Sequence, residues 1–194
     1  MSKFFVEIGS ADFDTLLPLS KNGWHGIVVE PNKNLLDNIR GVDNVIYENI
    51  ALSSYDGKIS FKYYDKSLYD NYEGAYWTRG VGTINLEMNH MHSNPQFKKY
   101  ECSEEVECLT LDTLLKKYNI ADVDFMKVDV EGNEYEIFKS YSWLVKPSVL
   151  KIETSHWETH ENYYNFKYTD IMLGMLRENG YLLWEEKSDL YAVR

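Results

Sequence analysis

The sequence predicts an α/β sandwich built on a mostly parallel sheet with a C-terminal antiparallel hairpin. Two short apolar runs, Phe4-Phe5-Val6-Glu7-Ile8 and Gly26-Ile27-Val28-Val29-Glu30, are each followed by helix-permitting sequence, as strands buried on both faces should be. Strand and helix patterns then alternate again over 106–178, and the runs at 181–185 and 190–193 are close enough to pair as a hairpin. With 194 residues and 44% hydrophobic content, the chain suits one domain spanning 1–194.

After the first strand, Asp14 can cap a helix carrying Leu16, Leu17 and Leu19, which Pro18 restricts to an early or distorted turn. Asn32 caps the next helix, with Leu35, Leu36 and Ile39 on one face, and Gly23 and Gly41 close the two. A third strand is expected over 44–52, and Asp56-Gly57 then turns into the alternating Ile59-Ser60-Phe61-Lys62-Tyr63. Residues 65–101 show no sustained period and are too many for an idle loop, so they read as a lid or an insertion. Beyond them come a strand at 106–111, a helix at 112–118, a strand at 123–130, a helix at 134–141, a strand at 148–154 and a helix at 169–178.

Charge narrows the function. There are 31 acidic and 20 basic residues, a formal net charge of −11, so a groove for nucleic acid is not expected. No segment reaches the roughly 20 apolar residues of a bilayer span, and a soluble, cytoplasmic protein is expected. Cys102 and Cys108 stand without other cysteines and read as ordinary reduced thiols.

Ligands bind open α/β sheets beyond the carboxyl ends of the strands. The first strand runs into Gly9-Ser10-Ala11-Asp12-Phe13-Asp14, and the second ends at Glu30, 21 residues after Gly9. That spacing suits an adenosine ligand whose ribose hydroxyls meet an acidic side chain. A dinucleotide would need further glycines where Ala11 and Asp14 stand. S-adenosylmethionine carries no phosphate, and its sulfonium and ammonium would be attracted by Glu7, Asp12, Asp14 and Asp129.

On the strand at 123–130, Lys127, Asp129 and Glu131 alternate with apolar residues, placing three charges on one face of a central strand. The next strand repeats the pattern with Lys151 and Glu153. Such charges either compensate one another or serve chemistry. His156 follows that strand where an imidazole could take a hydroxyl proton. His90 and His92 read as loop histidines. Aromatic residues gather in two irregular regions, Tyr63 to Trp77 and Trp157 to Tyr168, where rings either stack on sugar faces or pack loops onto the core.

With these residues in view, the chain resembles the FkbM-type methyltransferases, a class I S-adenosylmethionine-dependent family with a Rossmann-like sandwich. The octapeptide Lys127-Val128-Asp129-Val130-Glu131-Gly132-Asn133-Glu134 matches the family's Lys-x-Asp-x-Glu-Gly-x-Glu signature at every fixed position. Glu30-Pro31-Asn32, Ala51-Leu52-Ser53, Gly82-Thr83, Leu109-Thr110-Leu111-Asp112 and Ile152-Glu153 add weaker matches. The first loop departs from the family's Asp-x-Gly-Ala-Asn-x-Gly, with Glu7 for the acid, Ala11 for the asparagine and Phe13 for the second glycine.

The resemblance implies methyl transfer from S-adenosylmethionine to a hydroxyl of a sugar, glycan or glycosylated small molecule. Its implied cofactor contacts are Glu7, Gly9, Ser10, Asp12, Phe13, Glu30, Pro31, Asn49, Ala51 and Asp129. Asp129 or His156 is the expected base, with Glu131 and Glu153 orienting the acceptor or holding a divalent metal. Two other readings stay open: a carbohydrate-binding module that has lost turnover, and an NAD-dependent oxidoreductase. The expected partners are a sugar or glycan acceptor, with no nucleic acid and no membrane insertion, and the chain can equally be a domain of a larger protein.

Overall fold

A computed structural model describes residues 3–13, 15–84, 95–154 and 164–194, with side chains in the last span described from residue 168. A seven-stranded sheet forms the centre. Its strands are β1 (Phe4–Ile8), β2 (His25–Val29), β3 (Val45–Glu48), β8 (Phe125–Val128), β9 (Val149–Glu153), β10 (Leu182–Glu186) and β11 (Asp189–Val193). They lie in the order β10-β11-β9-β8-β1-β2-β3. The five strands from β9 to β3 are mutually parallel, while β11 runs antiparallel to both β9 and β10. The chain winds outward from β1 to β3 on one side and from β8 to β9 on the other, so the strand order reverses between β1 and β8. A crevice at the carboxyl ends opens at such a reversal.

Helices α1 (Lys33–Ile39), α3 (Leu111–Lys117), α4 (Glu134–Lys139) and α5 (Tyr164–Glu178) connect and cover these strands. Asn32 and Thr110 cap α1 and α3, their side chains accepting from the N–H groups of Asn34 and Thr113 at 3.1 and 3.2 Å. The main core gathers Val6, Ile8, Ile27, Val29, Met126, Val128, Leu150 and Ile152 from the sheet against Leu111, Leu114, Leu115, Ile137, Phe138, Met172 and Leu176 from the helices. Burying side chains of this size stabilises by about 1.5–3 kcal/mol each, which offsets the cost of holding a few charges inside the sheet. Among the described residues, no helix is long and apolar enough to cross a membrane.

Several expectations need correction. The strand expected over 123–130 ends at Val128, so Asp129 and Glu131 follow it, and the strand expected over 106–111 runs Glu101–Leu109. The first helix is a 3-10 helix, Leu17–Asn22, with Pro18 in its first turn, and Gly23 closes it at φ 79°. Asp14, its expected cap, lies outside the described residues. The strand expected over 44–52 is two strands in two sheets, β3 and β4 (Ala51–Leu52). Asn49 marks the break, because its side-chain amide donates to the carbonyls of Glu30 and Pro31 at 3.0 and 2.7 Å. The last helix begins five residues earlier than its pattern shows, at Tyr164.

β4 belongs to a second sheet of order β4-β7-β5-β6, with β5 (Gly57–Tyr64), β6 (Gly82–Thr83) and β7 (Glu101–Leu109). The aperiodic stretch is organised around it. It contains α2 (Lys66–Asn71) and 3-10 turns at Tyr76–Arg79 and Pro95–Tyr100, while 85–94 lie outside the described residues. Tyr64, Leu68, Ala75 and Phe97 give it an apolar cluster of its own, separate from the main core. Short helices with little periodicity are held here by packing against one another, which is why no repeat was visible.

Candidate functional site

The crevice at the strand reversal is a cavity of about 170 Å³. Its walls come from the loop after β1, the turn after β2, the start of β4, the octapeptide after β8, the end of β9 and the covering segment. Gly9 fixes the floor. It sits at φ +75°, and a Cβ there would run into the backbone carbonyl of Asp129. The two loops meet because Asp129 N–H donates to the Ile8 carbonyl and Gly9 N–H to the Val29 carbonyl, each at 2.9 Å.

The octapeptide divides its work. Lys127 is buried, with Nζ 3.4 Å from Asp129 Oδ2 and 3.9 Å from Glu7 Oε1 on the adjacent strand. Asp129 and Glu131 are half-buried and line the cavity. Glu131 has φ 56° and Gly132 φ 100°, a left-handed pair that turns the chain sharply into α4. Glu134 holds that turn, one carboxylate oxygen accepting from Val130 N–H at 3.0 Å and Gly132 N–H at 3.4 Å. The Asn133 amide donates to the Leu52 carbonyl at 3.0 Å, and the Thr83 hydroxyl to the Glu131 carbonyl at 3.0 Å. Two of the fixed acids thus face the cavity and the third is structural.

Asp129, Glu131 and Glu153 bring carboxylate oxygens within 4.8 Å of one another. Burial, then the neighbouring charge of Glu153, holds the Asp129 carboxyl well above its ordinary range; the Lys127 charge opposes this, and a hydrogen bond to Glu153 adds to it. The ionisation of Glu153 therefore opposes that of Asp129. The same three groups have the spacing and oxygen chemistry of a divalent-cation site. Lys151, the other charge expected on this face, turns to Asp189 at 3.2 Å.

Glu30 is buried at the end of β2. Its two carboxylate oxygens accept from Ala11 N–H and Asn32 N–H, both at 2.8 Å. Burial nevertheless dominates those bonds and pushes its pKa up to about 7, with Asp12 and Glu131 adding to the rise.

The expected contacts therefore separate. Gly9, Ser10, Phe13, Glu30, Pro31, Ala51, Asp129, Glu131 and Glu153 line the cavity. Glu7, Asp12 and Asn49 stand behind the wall. Glu7 is fully buried, accepting from Leu16 N–H at 2.9 Å and facing Lys127. Asp12 forms an ion pair with Arg79, and Asn49 braces the Glu30-Pro31 turn. His156, His90, His92 and Trp157 lie outside the described residues. Arg79, Gly80 and Phe61 also line the cavity and were not anticipated. Arg79 falls in the aperiodic stretch, where neither period nor spacing marks it.

A mostly parallel sheet with an acidic cavity at its strand reversal and an acid ending the second strand defines a Rossmann-like fold suited to an adenosine ligand. The chain belongs to the FkbM methyltransferase family: the model for the methyltransferase FkbM domain matches residues 5–183. In fold it is similar to the crystal structure of methyltransferase FkbM from Methylobacillus flagellatus, with a TM-score of 0.56 at 14% identity over 98% of this chain. The chain spans 43% of that protein's length. A Methanococcus jannaschii fibrillarin pre-rRNA processing protein aligns with 98% of this chain and 65% of its own at 12% identity, TM-score 0.46. A caffeoyl-CoA O-methyltransferase from Staphylococcus aureus, so described provisionally, aligns with 98% of this chain and 74% of its own at 13% identity, TM-score 0.42. No curated protein matches the chain in sequence.

Family membership implies S-adenosylmethionine as methyl donor, and the cavity's chemistry fits it. Ile50, Leu52 and Phe61 offer an apolar wall for a base, and Glu30 an acceptor for sugar hydroxyls. Asp129, Glu131 and Glu153 offer negative charge for a cationic sulfur and an ammonium. A pyrophosphate would find instead four acids and a 3-10 turn where a dinucleotide fold presents a helix N-terminus.

Proposed function

We propose that the protein transfers a methyl group from S-adenosylmethionine to a hydroxyl of a sugar, a glycan or a glycosylated small molecule. The observation that carries the chemistry is the Asp129–Glu153 pair beside Glu131 on the cavity wall. When bound, the donor supplies an electrophilic methyl on a positively charged sulfur. A hydroxyl must shed its proton as its oxygen takes that methyl, leaving the sulfur as a neutral thioether. The carboxyl pair is suited to accept the proton, because burial and the Glu153 charge raise the proton affinity of Asp129 above that of a solvent-exposed carboxylate. The Lys127 charge favours the ionised form of Asp129, and Glu131 is placed to orient the acceptor. His156 is the other candidate base.

Support for a sugar-like acceptor comes from a second cleft of about 590 Å³ between α1 and α2, which shares Asn32, Leu35, Tyr63 and Arg79 with the first. Tyr69 and Tyr76 offer ring faces there, and Asn34 and Asp70 offer polar groups of the kind that bind hydroxyls. The excess of acids over bases disfavours phosphorylated ligands. The proposed setting is cytoplasmic, in keeping with the free Cys102 and Cys108.

The test is mass spectrometry of a panel of neutral sugars and glycosides incubated with methyl-labelled S-adenosylmethionine, with S-adenosylhomocysteine calorimetry alongside. A labelled methyl ether supports the reading. Product-analogue binding with label appearing on nitrogen or on protein refutes the acceptor class, and no binding refutes the donor.

A further inference from the structure

The loop after β1 and the covering segment meet at one compact contact. Asp12, whose side chain is 2% exposed, pairs with the Arg79 guanidinium and accepts from the Asn38 amide at 2.7 Å. The guanidinium stands 5.7 Å from the centre of the Phe13 ring and 5.3 Å from that of Tyr76. Gly80, the next residue, faces the same ring: a Cβ there would lie 2.6 Å from Phe13 Cζ and 3.1 Å from Cε1. Close-packed carbons do not approach so far, so a side chain at 80 would displace Phe13.

Phe13 occupies the position where the family's first loop carries its second glycine. In this chain the Phe13 ring is 48% exposed, and its tip rests against Gly80. The loop also holds the non-glycine Ala11 at φ 45°, a strained shape steadied on one side by the bond from its N–H to Glu30.

We propose that Arg79 and Gly80 are positioning residues for the methyl donor, Arg79 acting through Asp12 and Gly80 through Phe13. The covering segment supplies a loop shape that residues 9–13 do not hold alone. The inference rests on the donor reading above.

Its test is calorimetric titration with S-adenosylhomocysteine, well below each variant's melting temperature, for the unaltered protein, Arg79→Ala, Arg79→Lys, Gly80→Ala, Phe13→Gly and the Gly80→Ala/Phe13→Gly double variant. Arg79→Ala should weaken binding by about tenfold or more, because it leaves a buried carboxylate without its partner, and Arg79→Lys should restore part of the loss. Gly80→Ala should weaken binding too, and in the double variant affinity should return to within about threefold of Phe13→Gly alone. A purely structural role would lower melting temperatures without this pattern of loss and rescue. Should Arg79→Ala not fold, Arg79→Lys and the Gly80–Phe13 pair decide. Equal affinity in folded Arg79 variants, or no rescue in the double variant, overturns the inference while leaving the donor reading standing. Absence of binding by the unaltered protein overturns both.

Discussion

Replacing Glu30 with glutamine should reverse part of the protein's pH dependence. The residue is 5% exposed, and burial raises its pKa from an ordinary 4.5 to about 7 despite backbone bonds from Asn32 and Ala11 that pull the other way. Between those two values the folded chain keeps a proton that the unfolded chain has released. Stability from this site is therefore full below 4.5 and is lost as pH rises towards 7, the opposite of a salt-bridged carboxylate. A rise of that size corresponds to about 3 kcal/mol, of which about 2.5 kcal/mol is lost between pH 5 and pH 8. Glu30→Gln does not titrate. It has a penalty of its own, since one amide oxygen cannot serve both N–H groups, but that penalty is independent of pH and cancels. Urea denaturation of both proteins at pH 5 and pH 8 gives the quantity needed: the stability of the unaltered protein minus that of the variant should fall by about 2.5 kcal/mol. A fall below about 0.5 kcal/mol, or a rise, would refute the claim that burial outweighs the backbone bonds.

Asp129→Asn should lower turnover by about 10²–10⁴-fold if the pair is the base, with thermal stability largely kept, as single-turnover kinetics and melting curves would report. Lys127→Met should cost about 3–5 kcal/mol in urea denaturation, because Glu7 and Asp129 lose a buried cation. In the residual folded enzyme, removing the charge that lowers the Asp129 pKa should move the rise in activity to higher pH. Gly9→Ala should abolish S-adenosylhomocysteine binding or folding, since the added methyl meets the Asp129 carbonyl and φ +75° strains alanine; a variant that binds normally would show that the two loops can part.

The sheet was readable because its signals are local. Strands buried on both faces read as unbroken apolar runs, and β1, β2 and β9 lie within a residue or two of where those runs place them. The break between β3 and β4 was not, because Asn49 acts through carbonyls 18 and 19 residues away, and an apolar run does not say which sheet it joins. The alternation of Lys127, Asp129 and Glu131 overran its strand, since only Lys127 lies within β8 and Asp129 and Glu131 follow its end. Which of them face the cavity was set by the left-handed turn at Glu131 and Gly132, and a turn of that hand leaves no periodic trace beyond one glycine. Arg79 was illegible because its partners, Asp12 and Phe13, are more than 60 residues upstream, in a segment whose order comes from packing rather than pattern.

Glu7 and Asp12 show how the site keeps its charge. By sequence both belong with the acids that meet a cationic donor, yet each is turned away from the cavity towards a base. Lys127 and Arg79 are the basic side chains on the wall, and Glu7 and Asp12 stand behind them as counter-ions. Without those two acids the cations would cancel part of the field of Glu30, Asp129, Glu131 and Glu153. With them, the wall presents an excess of negative charge while still having the lysine that tunes Asp129 and the arginine that fixes the loop. In the proposed reaction the sulfur loses its positive charge, so a wall of this sign would hold the donor more firmly than the thioether left behind, by an electrostatic difference that grows as Glu30 and the Asp129–Glu153 pair ionise. Acids behind the wall thus shape its field by neutralising the cations that line it.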